Sequence, residues 1–411
     1  MTSQLEDELT HTLAGAADLA PEPDESFVEG VHRRRRARTH RRVAMVAGCA
    51  AVLAVVSGVA VTNLSWRATE PGPPFASSDW SGTVPDFATA DPPDKVWPDA
   101  VHRLPATLPN GAKYQVFAVL GGDRYLVRTT AGVPSASAPW VYNARTGDLV
   151  FLGTEEMRTR PGSSSKDWTT AVGDYAVWFG TASESNQRDA GVWTARLDGT
   201  GDPKMIATVK DHGSIPPLIG VLGDSVYWAQ EGSGTYRLPV SGGTPQRVRD
   251  SDGYQLFGLS PWVDTTGHLV AEEDPTPDKG VLWDLETGER RPWVSHKDAQ
   301  TVICAPQICT GRTERGTYFV QRLDGTGFQE LPYPEDGFHA TPAIGGRFSI
   351  GTVKTSDGTF RYIWDIVGDK VASAAAPAGQ DDGTAYGFES STFQWLAGDG
   401  SVRVLDLKAI R

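Results

Sequence analysis

Two cysteines form the most specific chemical pair in this 411-residue chain. Cys304 and Cys309 are separated by Ala-Pro-Gln-Ile. A redox-active C-x-x-C motif would have two residues between its cysteines, and a zinc site would need two further ligands, which the flanking residues do not offer. A four-residue gap suits a local disulfide that pins a loop or a bulge in an oxidising compartment. We therefore predict a Cys304–Cys309 disulfide, with a reduced pair as the alternative.

The other residue types that could perform catalysis or bind metal are dispersed. The sequence holds no G-x-S-x-G, H-E-x-x-H, P-loop or G-x-G-x-x-G motif. Asp250–Gly253 is half of a calcium loop without the later acids, so we interpret it as a turn. We predict no catalytic, cofactor-binding or metal-ligating residue and no cofactor. The histidines, which lie far apart outside the N-terminal segment, are His11, His32, His40, His102, His212, His268, His296 and His339.

A dense arginine cluster precedes the longest apolar run. Val43–Thr62 contains no Asp, Glu, Lys, Arg, Asn or Gln, and a helix rising about 1.5 Å per residue over this run would span a hydrocarbon core of roughly 30 Å. Residues 63–92 hold only Arg67 as a base. The positive-inside rule therefore predicts a single membrane span with a cytoplasmic N-terminus. The topology arginines are Arg33, Arg34, Arg35, Arg36, Arg38, Arg41 and Arg42.

Two processing signals compete with a permanent anchor. Val46-Ala47-Gly48-Cys49 fits the four-residue lipoprotein box, but in a lipoprotein the apolar run precedes the cysteine, whereas here most of it follows. We therefore interpret Cys49 as an ordinary small membrane residue. Gly58–Ala60 is a small-x-small cleavage site, so removal of the span remains the alternative to an uncleaved anchor.

The N-terminal tail carries an amphipathic helix pattern. Ser3 and Glu6 form a capping box, and Leu5, Leu9 and Leu13 follow at i, i+4 and i+8. Such a helix is marginal alone in water, so we expect it to dock either on a cytosolic protein or on the inner leaflet. The predicted segments are a cytoplasmic tail (1–42), a transmembrane helix (43–62), a Pro/Ser/Thr/Gly-rich linker (63–95) and a folded domain (96–411).

The amino-acid composition indicates the structural class of the folded domain. The chain contains 45 Gly, 28 Pro and 13 Trp, which favours many turns and strands over long helices. The tail holds eight acids and seven arginines, net −1, so −12 of the total net charge of −13 lies beyond it. Because phosphate contacts require a basic face, this acidic domain is not expected to bind nucleic acid.

An internal repeat organises the folded domain. A strand, a polar residue, a Gly-containing turn and a second strand recur, and two further short apolar strands precede each such unit. About four strands in ~42 residues is the period of a propeller blade. The repeat anchors, whose successive differences are 55, 41, 45, 40, 41 and 41, are Asn143, Asp198, Pro239, Asp284, Asp324, Asp365 and Asp406.

The repeat predicts an all-β, seven-bladed β-propeller with four-stranded blades. The last unit stops after its third strand at Arg411, and Asp99–Pro109 supplies a spare strand before the first blade. We expect this N-terminal strand to complete the last blade, because closure removes two open sheet edges. Most tryptophans fall on predicted strands, while one or two others, with Trp262 and Trp293 as the candidates, are expected in loops that line a binding face.

Residues 95–411 resemble the WD40-like and TolB-like β-propellers. Trp283-Asp284 and Trp364-Asp365 are WD dipeptides at strand ends, but the Gly-His pair of true WD40 repeats is not in place, so the resemblance is to the architecture. The layout as a whole resembles single-pass membrane proteins of actinobacterial type with a TolB-like ectodomain. Some of their tails resemble those of membrane regulators that bind sigma factors.

These observations predict a function in the cell envelope. We expect a membrane-anchored, extracytoplasmic sensor or scaffold that is not an enzyme and that binds a protein, peptide or glycan at a propeller face. A cytosolic protein is the expected partner of the tail. The alternatives are a propeller hydrolase or lyase with an active site at the central channel, and a TolB-like envelope assembly factor.

Overall fold

The structure is a computed structural model, and the residues that it describes belong to one compact unit, 73–411. The predicted tail and span, 1–62, lie outside the described residues, as do the topology arginines. Within the described part of the chain, no helix is long and apolar enough to cross a membrane. The described residues are 80, 82–131, 138–159, 169–181, 190–209, 219–230, 234–252, 254–256, 262–264, 279–333, 338–340, 347–356, 358–375 and 391–411.

The described strands form seven antiparallel sheets, six of them four-stranded. In the four-stranded sheets, strands adjacent in sequence pair side by side, as the repeat predicted. Strand β1 (Val101–Leu104) belongs to the seventh sheet. The next strands are, in blade 1, β2 Lys113–Gly121, β3 Arg124–Ala131, β4 Trp140–Asn143 and β5 Leu149–Phe151; in blade 2, β6 Thr169–Val172, β7 Tyr175–Thr181, β8 Ala190–Arg196 and β9 Lys204–Val209; and in blade 3, β10 Ile219–Leu222, β11 Ser225–Gln230, β12 Gly234–Pro239 and β13 Gln246–Arg247.

The remaining blades repeat this arrangement, and the seventh sheet has three described strands in the order β1, β27, β26. The all-β, seven-bladed propeller is thus confirmed. The strands are, in blade 4, β14 Gln255–Leu256, β15 Trp262–Asp264, β16 Lys279–Asp284 and β17 Arg290–Val294; in blade 5, β18 Ala299–Cys304, β19 Cys309–Thr313, β20 Tyr318–Gln321 and β21 Gln329–Glu330; in blade 6, β22 Phe338–Ala340, β23 Phe348–Thr355, β24 Gly358–Asp365 and β25 Lys370–Ala375; and in blade 7, β26 Thr392–Leu396 and β27 Val402–Asp406.

Seven hydrophobic clusters hold the blades together, one at each contact between neighbours around the ring. Because side chains alternate along a strand, each middle strand serves two clusters. In β3, Tyr125 and Val127 pack towards blade 7, whereas Leu126 packs towards blade 2. Every blade is therefore buried on both faces.

The ring closes through the N-terminal strand, as predicted. β1 pairs with β27 from Val101 opposite Leu405 to Leu104 opposite Val402. A second contact joins the chain end to blade 6: Arg347 donates to the carbonyl of Ile410 across 3.0 Å. The two ends of the propeller are thus tied into the same part of the ring.

Residues 80–100 form a strap that packs on blades 5, 6 and 7. Most of this stretch was predicted to belong to the linker, but Trp80 and Phe87 are only 2% and 1% exposed. Phe87 stacks on Tyr362 with 4.1 Å between ring centroids, and Ser373 at the edge of β25 donates its backbone N–H to Asp91 across 3.0 Å. The short helices are α1 Pro93–Val96 and α2 Glu155–Thr159, with 3-10 turns at Pro98–Ala100 and Leu407–Ala409.

Candidate binding faces and the disulfide

The strand order gives the propeller two different faces. In an antiparallel blade the first and third strands run one way and the second and fourth the other. The connection between the first and second strands and the connection between the third and fourth strands therefore lie on one face, the turn face. Connections between the second and third strands, and between blades, lie on the opposite face, the loop face. The turn face carries the hairpins 122–123, 173–174 and 223–224, whereas the strand ends that border residues 132–139, 182–189 and 265–278 lie on the loop face.

The repeat anchors build the turn face. Asn143 ends β4 and accepts hydrogen bonds from the backbone N–H groups of Arg145 and Thr146. Asp284 ends β16 and accepts two such bonds in the same way. Polar side chains that accept backbone N–H groups one to three residues ahead stabilise tight turns. The seven anchors are thus mostly structural, which is why they recur once per blade.

The Leu-Asp-Gly-Thr-Gly segments are a variant of the same turn. Asp198 accepts hydrogen bonds from the backbone N–H and the hydroxyl of Thr200, at 2.9 and 2.6 Å. Asp324 makes the same pair of bonds with Thr326. Both segments join two strands, as the sequence predicted for hairpin turns.

The predicted disulfide is present. Cys304 and Cys309 are bonded, lie directly opposite each other at the ends of β18 and β19, and are both fully buried. The enclosed turn contributes Ala305 and Ile308 to the cluster between blades 5 and 6, which also holds Trp80 of the strap. The bond therefore stabilises the surface on which the strap packs.

Two tryptophans contradict their sequence-based prediction. Trp262 lies on β15 and Trp293 on β17, and they are 6% and 0% exposed, so neither is in a loop or lines a binding face. The Trp293 indole donates to the buried carboxylate of Asp264 across 3.0 Å. Both indoles belong to the cluster between blades 4 and 5. Short strands with Pro and Arg neighbours concealed this burial from the sequence.

A polar cleft opens on the turn face between blades 1 and 2. Its volume is about 310 Å³. The walls of the cleft come from the ends of the inner strands β2 and β6 and from the end of β8. Lys408, in the 3-10 turn that follows β27, also lines the cleft. Charged groups from three blades therefore meet here, and no local sequence pattern indicates that they do. The lining residues are Val119, Leu120, Arg124, Ala171, Gly173, Asp174, Arg196, Leu197, Asp198 and Lys408.

Internal contacts position two of these charges. Arg196 pairs with Asp198 through Nη2 and Oδ2 at 3.0 Å, and Arg124 donates from Nη2 to the carbonyl of Leu197 across 2.7 Å. The hydroxyl of Thr200, followed by Arg196, holds the pKa of the Asp198 carboxyl well below its usual range. Asp198 is therefore an anion whose charge is already neutralised within its own turn.

The histidines remain separate in the described part of the chain. His102 of β1 has Nδ1 3.1 Å from the Tyr125 hydroxyl. Burial raises the pKa of Tyr125 to about 12, so the phenol keeps its proton at neutral pH. His296 instead stacks on Phe328 at 4.0 Å between centroids. No group of three or more His, Cys, Asp or Glu residues arranged for metal is found among the residues described.

Comparison with known proteins assigns no family. No protein-family model matches the chain, and no curated protein matches it. Among solved structures, BamB from Moraxella catarrhalis shares 12% identity with a TM-score of 0.35, over 72% of this chain and 85% of that one. An oligogalacturonate lyase in complex with manganese shares 9% identity with a TM-score of 0.45, over 75% and 96%.

A chain of a mitotic checkpoint complex shares 11% identity with a TM-score of 0.35, over 79% of this chain and 98% of that one. Similarity at these identities and scores says nothing about activity or partners. The fold is established by the strand pairing of the chain itself, which defines a seven-bladed β-propeller.

Proposed function

We propose that this protein is a membrane-anchored, extracytoplasmic β-propeller that binds a protein, peptide or glycan as a sensor or scaffold of the cell envelope, and that it is not an enzyme. The asymmetry of its two faces carries this proposal. The turn face is made of short hairpins stabilised by Asx residues, whereas the strand ends on the loop face border the longer segments 132–139, 182–189 and 265–278. Binding residues concentrate on loops that a rigid scaffold holds in place.

The compartment is argued from the cysteines and the N-terminal segment. A buried structural disulfide is typical of proteins that fold in an oxidising environment. The apolar run 43–62 behind its seven arginines supports a single span with the propeller outside. Both observations favour the same side of the membrane for residues 96–411.

Protease protection with site-specific crosslinking tests this proposal on intact cells. A photo-crosslinking residue at Ser185, in the segment of sequence that joins β7 to β8, is expected to capture a partner. The same residue at Glu286, in the β16–β17 hairpin of the turn face, is the matched control and is expected to capture none. External protease should shorten the protein to its N-terminal part. A propeller that stays intact until the cells are lysed would overturn the compartment, and equal capture at both positions would overturn the binding face.

We further propose that residues 1–42 stay with the protein and contact a cytosolic regulator such as a sigma factor. The leucine face of Leu5, Leu9 and Leu13 supports this, because an isolated amphipathic helix gains stability by docking. A crosslinker at Leu9 should capture a cytosolic protein, and Leu9→Glu should abolish a tail-dependent pull-down. Capture of lipid alone would show that the tail lies on the inner leaflet.

A further inference from the structure

The polar cleft between blades 1 and 2 is built from elements far apart in the sequence. Arg124 begins β3, Asp174 lies in the β6–β7 hairpin, and Lys408 follows β27. Hydrogen bonds hold the backbone of two of them: the backbone N–H of Lys408 donates to Asp406 across 3.0 Å, and the backbone carbonyl of Asp174 accepts from the N–H of Leu197 at 2.8 Å. The turns from which these side chains project are therefore fixed by the fold.

Two of the charged residues in the cleft form an ion pair with each other, and the other three form no ion pair within the described residues. Arg196 and Asp198 neutralise each other. Arg124 uses one guanidinium nitrogen on the carbonyl of Leu197. Within the described ranges, Arg124, Lys408 and Asp174 form no ion pair. Two cations and one carboxylate thus remain for a ligand.

We propose that this cleft binds the carboxylate of a peptide. A guanidinium offers several N–H donors in one plane, which match the two oxygens of a carboxylate, and an ammonium adds further donors. Leu120 and Ala171, which pack at the cluster between blades 1 and 2, give the cleft an apolar wall against which a small aliphatic side chain packs. Asp174 at the rim accepts a peptide N–H.

The charge balance selects a carboxylate over a phosphate. Asp174 lies in the same cleft as the two unpaired cations, so the site offers one net positive charge to a ligand. A singly charged carboxylate neutralises this charge, whereas a doubly charged phosphate would leave the site with a net charge of about −1 beside Asp174. The chain as a whole has a net charge of −13, so binding must come from these local contacts rather than from long-range attraction.

Fluorescence anisotropy on the full-length protein in detergent micelles tests the proposal. The probe is a tetra-alanine peptide with an uncharged BODIPY dye at its N-terminus and a free C-terminal carboxylate. Saturable binding is expected, and it should vanish when the C-terminus is amidated. An amidated peptide with one Glu tests the side-chain carboxylate as the source, against the same peptide with Gln. Inorganic phosphate should compete more weakly than acetate.

Charge-removing variants assign the binding to the cleft. Arg124→Gln and Lys408→Gln are each expected to weaken the free-carboxylate probe about tenfold, which corresponds to about 1.4 kcal/mol. Lys408 is exposed, and its side chain forms no hydrogen bond or ion pair with the residues that the structure describes, so Lys408→Gln is expected to keep the fold. Arg249→Gln, at a side chain that is 96% exposed and outside the cleft, is the control and should bind like the parent.

Three results would overturn the proposal: no saturable binding of either carboxylate peptide, equal binding of the amidated peptide, or equal weakening by Arg249→Gln and Lys408→Gln. Phosphate that competes better than acetate would show that the ligand class is wrong. The cleft lies on the turn face, so these outcomes are independent of partner capture on the loop face.

Discussion

Single residues stabilise this propeller mainly at the ends of its strands. Asp365, the aspartate of one WD dipeptide, is 1% exposed. Arg347 holds it with two hydrogen bonds, from Nε at 2.8 Å and from Nη2 at 2.6 Å. The same guanidinium donates to the carbonyl of Ile410. One side chain therefore joins a buried acid of blade 6 to the C-terminus that follows blade 7.

Arg347→Ala is expected to lower the free energy of unfolding by about 3 kcal/mol, because it leaves a buried carboxylate without its counter-charge. Chemical denaturation measures this loss. Arg315→Ala is the matched control, since Arg315 is 71% exposed and its ion pair with Glu330 is a surface pair, worth less than about 1 kcal/mol. Equal losses for the two variants would contradict the role of Arg347.

The turn aspartates predict a defined response to acid. The hydroxyl of Thr200, then Arg196, lowers the pKa of Asp198. A lowered folded pKa means that the stabilisation is present above the unfolded value near 4 and is lost as the pH falls through the folded value. We expect the Asp198 carboxyl to stay ionised at pH 3 in a carbon-detected NMR titration. In Thr200→Val its pKa should rise towards the ordinary value, and an identical titration in both proteins would contradict this cause.

At the scale of elements, the disulfide hairpin and the strap depend on each other. The turn between Cys304 and Cys309 supplies apolar residues that pack in the same cluster as Trp80 and Phe87. Arg322 lies over the Trp80 ring at 5.6 Å. The strap is thus part of the propeller, and its proline-rich composition alone does not describe it.

Replacing both Cys304 and Cys309 by Ala is expected to lower the free energy of unfolding by about 2 kcal/mol, because the unfolded chain regains the entropy of an open loop. Thermal unfolding with and without a reductant measures the same effect in the parent protein. The variant should not respond to the reductant. If the unfolding temperature of the parent protein did not change when the reductant had broken the bond completely, the disulfide would contribute no stability.

Phe87→Ala is expected to cost about 3 kcal/mol, because it removes a fully buried ring from a stack on Tyr362. Leu396→Ala is the control, since Leu396 is 44% exposed and its truncation leaves no cavity. Denaturant unfolding compares the two, and limited proteolysis should cut the strap first in the Phe87 variant. If the strap behaved as a free linker, the two variants would have the same free energy of unfolding, and this result would contradict the prediction.

At the scale of the whole molecule, ring closure links both ends of the domain. β1 covers the outer edge of β27, and Trp97 and Ala100 share a cluster with Ile410. A sheet edge left unpaired is a template for association with another chain. Closure therefore contributes to solubility as well as to stability.

Removal of the closing strand together with the strap tests this. A chain that begins at residue 106 lacks both and is expected to unfold at a lower temperature and to self-associate through the exposed edge of β27, whereas a chain that begins at residue 80 keeps both and should stay monomeric; self-association is the readout specific to the open edge. Light scattering coupled to size exclusion and thermal unfolding distinguish the two. Two monomeric chains of equal stability would mean that β1 is dispensable.

The number of blades, their closure and the disulfide were predictable from the sequence because each depends on local patterns. A blade repeats its turn chemistry, and Asn143, Asp284 and Asp365 mark the same turn each time. The spare strand near Val101 indicated closure, since the last unit lacked one. Two cysteines five positions apart must meet if their strands form a hairpin. No knowledge of neighbouring blades was needed for any of these.

The cleft and the strap were decided only by the tertiary structure. Arg124, Arg196 and Lys408 meet because blades 1, 2 and 7 are neighbours in a closed ring, and nothing local to any of them indicates the others. Trp80 and Phe87 are buried because the junction between blades 5 and 6 presents aromatic rings to them. Local patterns specify strands and turns, whereas the contacts between blades depend on side chains that only the closed ring brings together.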